Sequence, residues 1–202
     1  MPRNENIGVL KESGKAFQSP FAPRELVVLQ QQLLEQIDEP VFVAVDTMNL
    51  WIQESFDDLT ALLKKIDCLI INEDEARMLA DQHNLIRAAR KILGMGPSVV
   101  IVKKGESGSI MCNSDGDIFI LPAFPADEVV DPTGAGDSFA GGFMGYLAQT
   151  GRTDFETLKT AVAYGTVVAS FTIADFSLDA LTSTDRANID KRLQELRNIT
   201  QF

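Results

Sequence analysis

Residues 131–137 read Asp131-Pro132-Thr133-Gly134-Ala135-Gly136-Asp137 and run straight into Ser138-Phe139-Ala140-Gly141-Gly142-Phe143. Pro132 stops any helix ahead of the turn, and Gly134 and Gly136 admit backbone angles closed to other residues. Apolar residues at helical spacing follow, which predicts a helix over roughly Ala135–Thr150 starting on the turn. With side chains no larger than a methyl, the N–H groups of Gly134, Ala135 and Gly136 can come close to a ligand. At a helix start, orphan N–H groups and the dipole favour an anion. Asp137 adds a carboxylate beside that anion hole. An acid serves poorly for holding phosphate, since like charges repel, but well for taking a proton from a hydroxyl about to attack phosphorus. A bare GxGD reads as a Gly-rich turn with an acid stabilising the first helical turn; the full stretch is more specific.

Upstream, apolar runs alternate with helical patterns. Pro23 stands where a helix would begin, and Leu26, Leu29, Leu33, Leu34 and Ile37 recur at helical spacing before Pro40. Val41–Val45, Cys68–Ile71 and Val99–Val102 are apolar throughout, as expected of strands covered on both faces. Between them, helical spacing covers Asp57–Ile66, the acid-rich start at Asn72-Glu73-Asp74-Glu75, and a helix capped by Asn84 that runs to Leu93. Strands separated by helices indicate an α/β fold with a mostly parallel sheet and helices on both faces. Ser109–Cys112 and Asp117–Leu121 then flank the turn Asn113-Ser114-Asp115-Gly116, a hairpin. Further helical stretches cover Asp154–Phe171 and Thr184–Ile199. Residues 1–20 have no sustained period and read as a loosely ordered lead-in to one α/β domain over 21–202.

The 202 residues carry 18 Lys and Arg against 29 Asp and Glu, a net charge of −11, which argues against a nucleic-acid surface. No apolar run is long enough to cross a bilayer, so no membrane partner is expected. Cys68 and Cys112 have neither the number nor the spacing of a disulfide framework or zinc site and read as reduced core residues of a cytoplasmic protein. There is no GxxxxGK[ST], no GxGxxG after the first strand, and His83 is a lone histidine. P-loop, dinucleotide and histidine-based hydrolytic chemistry are set aside.

Three further constellations stand beside the opening motif. Asn72 and Glu75 follow a buried strand, where ligands gather in open parallel sheets; they suit either a capped helix start or a water-mediated Mg²⁺ site. Lys103-Lys104-Gly105-Glu106-Ser107-Gly108 is either a solvated strand end or a loop meeting triphosphate. Ala161–Phe171 alternates small and apolar residues, as in close helix packing. Asp46-Thr47-Met48-Asn49, at the end of the first strand, also faces the ligand edge, although a strand-ending turn explains it as well.

From Val130 to Tyr146 the chain resembles the signature of the ribokinase-like sugar kinases, the PfkB carbohydrate kinase family, and Asn72-x-x-Glu75 and Gly105-x-x-Gly108 match two more of its motifs. The resemblance runs from about Phe21 to the C-terminus. It implies ATP and Mg²⁺ as cofactors and a sugar or nucleoside acceptor. Asp137 would act as base and Gly134, Ala135 and Gly136 as the anion hole. Asn72, Lys103, Gly105, Gly108, Thr133, Gly134 and Gly136 would meet the nucleotide, with Asn72 and Glu75 on the metal through water and Ala161–Phe171 walling the adenine. Nothing in residues 1–20 matches the family's first βα units, its Gly-Gly sugar-binding segment or its β lid. The expectation is a ribokinase-like domain without those parts, either a kinase or a non-catalytic member that binds nucleotide or pairs with another chain, a second copy included.

Overall fold

The structure, a computed structural model, describes residues 7–10, 23–177 and 179–201. The chain divides into two compact units, Glu5–Lys104 with Ile110–Phe119, and Gly105–Ser109 with Ile120–Phe202.

A six-stranded sheet, ordered as in the chain, runs β1 (Ile7–Leu10), β2 (Phe42–Asp46), β3 (Cys68–Asn72), β4 (Val99–Lys103), β5 (Ser109–Asn113) and β6 (Ile118–Leu121). The first four are mutually parallel, with Val43 opposite Gly8, Ala44 opposite Cys68 and Ile70 opposite Ile101. Connections too short for a crossover join β4 to β5 and β5 to β6, so those neighbours run antiparallel. The sheet is thus mixed and mostly parallel, as expected. Helices α1 (Pro23–Leu34), α2 (Asn49–Glu54), α3 (Phe56–Leu63), α4 (Glu73–Ala80) and α5 (Leu85–Leu93) fill the crossovers. Because right-handed crossovers between successive neighbours place their helices on one face, α1–α5 share a single core. Leu26, Trp51, Leu59, Leu62, Leu79 and Ile92 meet Val43, Val45, Leu69, Ile71, Val100 and Val102 there. The opposite face (Ala44, Cys68, Ile70, Ile101 and Met111) is buried too, which is why these runs are apolar at every position.

Three elements depart from the sequence reading. Ile7–Leu10, inside the stretch read as a lead-in, forms edge strand β1; the rest of residues 1–20 lies outside the described residues. Helix α2 is too short to show a period, yet it carries Trp51, 1% exposed. On α1 the buried stripe is Leu26, Val27, Gln30 and Leu34, while Leu29 and Leu33 stand exposed on its rim.

In the second unit, α6 (Ala135–Thr150) and α7 (Phe155–Thr172) are joined by a tight turn. Gly151 takes φ 65° and donates to Leu147 O, and Asp154 caps α7 by accepting from the Thr157 N–H and hydroxyl. The two helices approach closely through small residues. A Cβ on Gly165 would lie 2.6 Å from the Phe139 carbonyl oxygen, and one on Gly142 2.9 Å from Val168 Cγ2. Gly165→Val is expected to lower unfolding stability by about 1–3 kcal/mol, the usual cost of overpacking, read as a lower denaturation midpoint.

Two shorter pieces, α8 (Asp179–Thr182) and α9 (Arg186–Thr200), complete the unit. Helix α9 is pinned by Arg186, which stacks on the Tyr164 ring and donates to Tyr164 Oη and Gln149. It is pinned again by Arg192, 3.6 Å from the Phe171 centroid and donating to Ser170 Oγ. Among the described residues no helix is long and apolar enough to cross a membrane.

Candidate active site

Sequence reasoning names residues on both units. The first unit carries Asn72, Glu75 and Lys103, gathered where β3 and β4 end. Asn72 ends β3 in an extended conformation and caps α4. Its Oδ1 accepts the Glu75 N–H at 2.8 Å, and Glu75 Oε2 accepts the Asn72 N–H at 3.3 Å, a reciprocal capping box. The helix-cap reading is therefore physically present. It also holds Glu75 in place at 6% exposure, with Thr47 Oγ1 donating to the same Oε2 at 3.3 Å. Oε1 takes part in neither bond.

Burial pushes the Glu75 carboxyl above the usual glutamate range, and the Asp46 charge adds to that, against the Asn72 N–H, Lys103 and Thr47. The folded protein then binds a proton more tightly than the unfolded chain does. Its stability falls as pH rises from the ordinary glutamate pKa through the higher folded value, and is level above that. Glu75→Gln keeps a capping side chain and carries no charge. In chelator, its denaturation midpoint is expected to exceed the wild type's at neutral pH and to lose that advantage as pH drops below the ordinary glutamate range.

Hard oxygens, including the Glu75 carboxylate, the Thr47 hydroxyl and the nearby Asp46 carboxylate, suit Mg²⁺. Among the described residues no group of three or more His, Cys, Asp and Glu side chains could hold an ion. The residues fit a cation that takes few protein ligands and keeps waters and phosphate oxygens, as Mg²⁺ does. Beside them, Lys103 Nζ lies 2.7 Å from Asp46 Oδ2.

The second unit carries the two glycine motifs. Gly105–Ser107 makes a single 3₁₀ turn, closed by Gly108 N–H donating to Gly105 O at 3.0 Å. Gly105 sits at φ 55° with open space where a Cβ would be, so a ligand can approach its backbone. In the opening motif, Asp131 Oδ1 accepts the Thr133 N–H at 2.9 Å, and Gly134 takes φ 81° as the N-cap of α6. The Ala135 N–H donates back to Pro132 O at 3.2 Å, whereas the Gly134 and Gly136 N–H groups have no acceptor among the described residues. Asp137 lies in the first turn of α6, half-buried. Next to it, Ser138 Oγ accepts the Thr172 hydroxyl at 2.7 Å in a buried bond tying the start of α6 to the end of α7. Small residues between Ala161 and Phe171 serve the α6–α7 contact, the packing role their pattern suggests.

The pairing of Asp46 with Lys103 and the Thr47–Glu75 link were not readable in the sequence. Both depend on strand register; the only signal was polar residues at successive strand ends.

The model of the pfkB family of carbohydrate kinases matches residues 3–185. A cytidine kinase of Thermococcus kodakarensis is 34% identical over 131 residues, 62% of this chain and 45% of its own length. A nucleoside kinase of Methanothermobacter thermautotrophicus is 43% identical over 82 residues, 40% of this chain and 24% of its own. Among solved structures, the Thermotoga maritima ribokinase aligns with TM-score 0.66 at 24% identity, covering 85% of this chain and 54% of that one. The aminoimidazole riboside kinase of Salmonella enterica, solved with aminoimidazole riboside and an ATP analogue, aligns with TM-score 0.66 at 22% identity over 75% of this chain and 52% of that one. The chain thus spans about half the length, or less, of these relatives. Its fold is the ribokinase-like one, and the chain belongs to the pfkB family of carbohydrate kinases.

Proposed function

We propose that the protein is an ATP-dependent phosphotransferase that moves the γ-phosphate of ATP to a hydroxyl of a sugar, nucleoside or related alcohol. The observation that carries this is the half-buried Asp137 carboxylate, in the first turn of a helix whose Gly134 and Gly136 N–H groups have no acceptor among the described residues. Asp137 takes the proton of the attacking hydroxyl, and the two N–H groups stabilise charge on the transferring phosphoryl group. The Ala135 N–H contributes less, because it is shared with Pro132 O. Gly105, Gly108 and Thr133 face the nucleotide, and the α7 stretch Ala161–Phe171 lies along its adenine. Asn72 and Glu75 hold Mg²⁺ through water. That cation supplies charge neutralisation at the phosphates and alignment of the γ-phosphate. Kinase relatives of both sugar and nucleoside type support the acceptor class.

A second reading stands beside it. In that reading the chain binds nucleotide or pairs with another chain without transferring phosphate. Calorimetric titration with ATP, with and without Mg²⁺, followed by acceptor-dependent ADP release, separates the two. ATP binding strengthened by Mg²⁺ together with acceptor-dependent release supports the kinase; binding alone supports the second reading; no ATP binding in either condition overturns both nucleotide assignments.

A further inference from the structure

The ends of three neighbouring strands hold an ion pair between Asp46 and Lys103. Register places Asp46 opposite Ile70 and Lys103 opposite Asn72. Ile70 and Asn72 are two apart on β3, so all four side chains share one face of the sheet. Strand β3 separates β2 from β4, which sets Asp46 and Lys103 roughly 10 Å apart across the sheet at the usual strand spacing. Lys103 spans that gap over the end of β3 and brings Nζ to 2.7 Å from Asp46 Oδ2. The Asp46 side chain is 2% exposed and that of Lys103 20%. Asp46 Oδ1 accepts the Thr47 N–H at 2.9 Å, so the carboxylate is fixed and the lysine head is the end that meets solvent. A pair this dry gains little stability over aliphatic residues, because desolvation offsets its attraction. Stability alone does not account for a lysine laid across a strand end.

We propose that Asp46 is a positioning residue for nucleotide: it holds the Lys103 ammonium over the end of β3, beside Asn72, so that the cation is in place before the phosphates arrive. The proposal rests on the kinase reading above. A free lysine loses much rotamer freedom when it is ordered on a ligand, and Asp46 has imposed that order in advance. An ammonium has three donors, so it keeps Asp46 and still presents N–H groups to phosphate oxygens.

The test is calorimetric ATP binding by wild type, Asp46→Asn, Lys103→Met and the double variant, beside their denaturation midpoints. Asp46→Asn is nearly isosteric and keeps an acceptor for the Thr47 N–H. Its ATP Kd is expected to rise about tenfold, the scale of one charge-assisted hydrogen bond. If Asp46 acts through Lys103, the double variant binds no more weakly than Lys103→Met alone. Unchanged or tighter ATP binding by a folded Asp46→Asn overturns the proposal, as does full additivity in the double variant. A lowered midpoint with ATP Kd unchanged reduces the pair to a structural tie and overturns it too. Should Asp46→Asn not fold, Asp46→Glu keeps the charge and displaces the ammonium; weaker ATP binding supports the proposal and unchanged binding overturns it. Wild type that binds no ATP takes down the kinase reading itself, whereas wild type that binds beside an unaffected variant takes down only the role of Asp46.

Discussion

Asp137→Asn is expected to lower turnover by about 10²–10⁴-fold, the usual contribution of a positioned general base, with ATP affinity nearly unchanged. Asparagine has the shape of aspartate and suits the first turn of α6, so the helix start and the φ 81° turn at Gly134 stay intact. What goes is the capacity to accept a proton. A carboxylate beside a bound phosphate would repel it, so removing the Asp137 charge is not expected to weaken a nucleotide complex. A kcat loss without a rise in ATP Kd separates a base from a nucleotide-holding residue. Unchanged kcat, or a loss matched by weaker ATP binding, contradicts the assignment.

Gly108→Ala is expected to destabilise the fold by about 2–5 kcal/mol, from the left-handed backbone penalty of ~1–2 kcal/mol and an overpacking cost of ~1–3 kcal/mol. Gly108 has φ 83°, and a Cβ there would lie 2.1 Å from the Leu121 carbonyl oxygen, a backbone atom that cannot swing aside. Gly105→Ala, at φ 55° with nothing within 4 Å of its Cβ, bears the backbone penalty alone. Chemical denaturation should therefore rank wild type above Gly105→Ala and Gly105→Ala above Gly108→Ala. Equal midpoints for the two variants would show that the contact at Leu121 does not constrain the loop.

Legibility in the sequence followed the physics of each element. Strands β2, β3 and β4 could be read because parallel strands buried on both faces are apolar throughout, and each boundary fell within a residue. Helices α6 and α7 were long enough to show a period. Strand β1 was not legible: Ile7–Leu10 is apolar, but four residues interrupted by Gly8 and set between polar flanks are too short to mark a strand without their pairing with β2. Helix α2, at six residues, is too short for periodicity to separate it from a loop.

The candidate site divides the same way. Gly134, Gly105 and Gly108 announced themselves because positive φ demands glycine, and the Asn72–Glu75 spacing announced a capped helix. The Asp46–Lys103 pair joins residues far apart in sequence across an intervening strand, so only register reveals it.

The central claim is that this chain transfers phosphate rather than merely holding nucleotide. Its most direct test is incubation with γ-labelled ATP and Mg²⁺ across a panel of sugars and nucleosides, with mass detection of labelled products. The account predicts a phosphorylated acceptor from at least one panel member, formed by wild type and lost with Asp137→Asn. A folded chain that binds ATP yet phosphorylates no acceptor, or an Asp137→Asn variant that forms product at the wild-type rate, would contradict it.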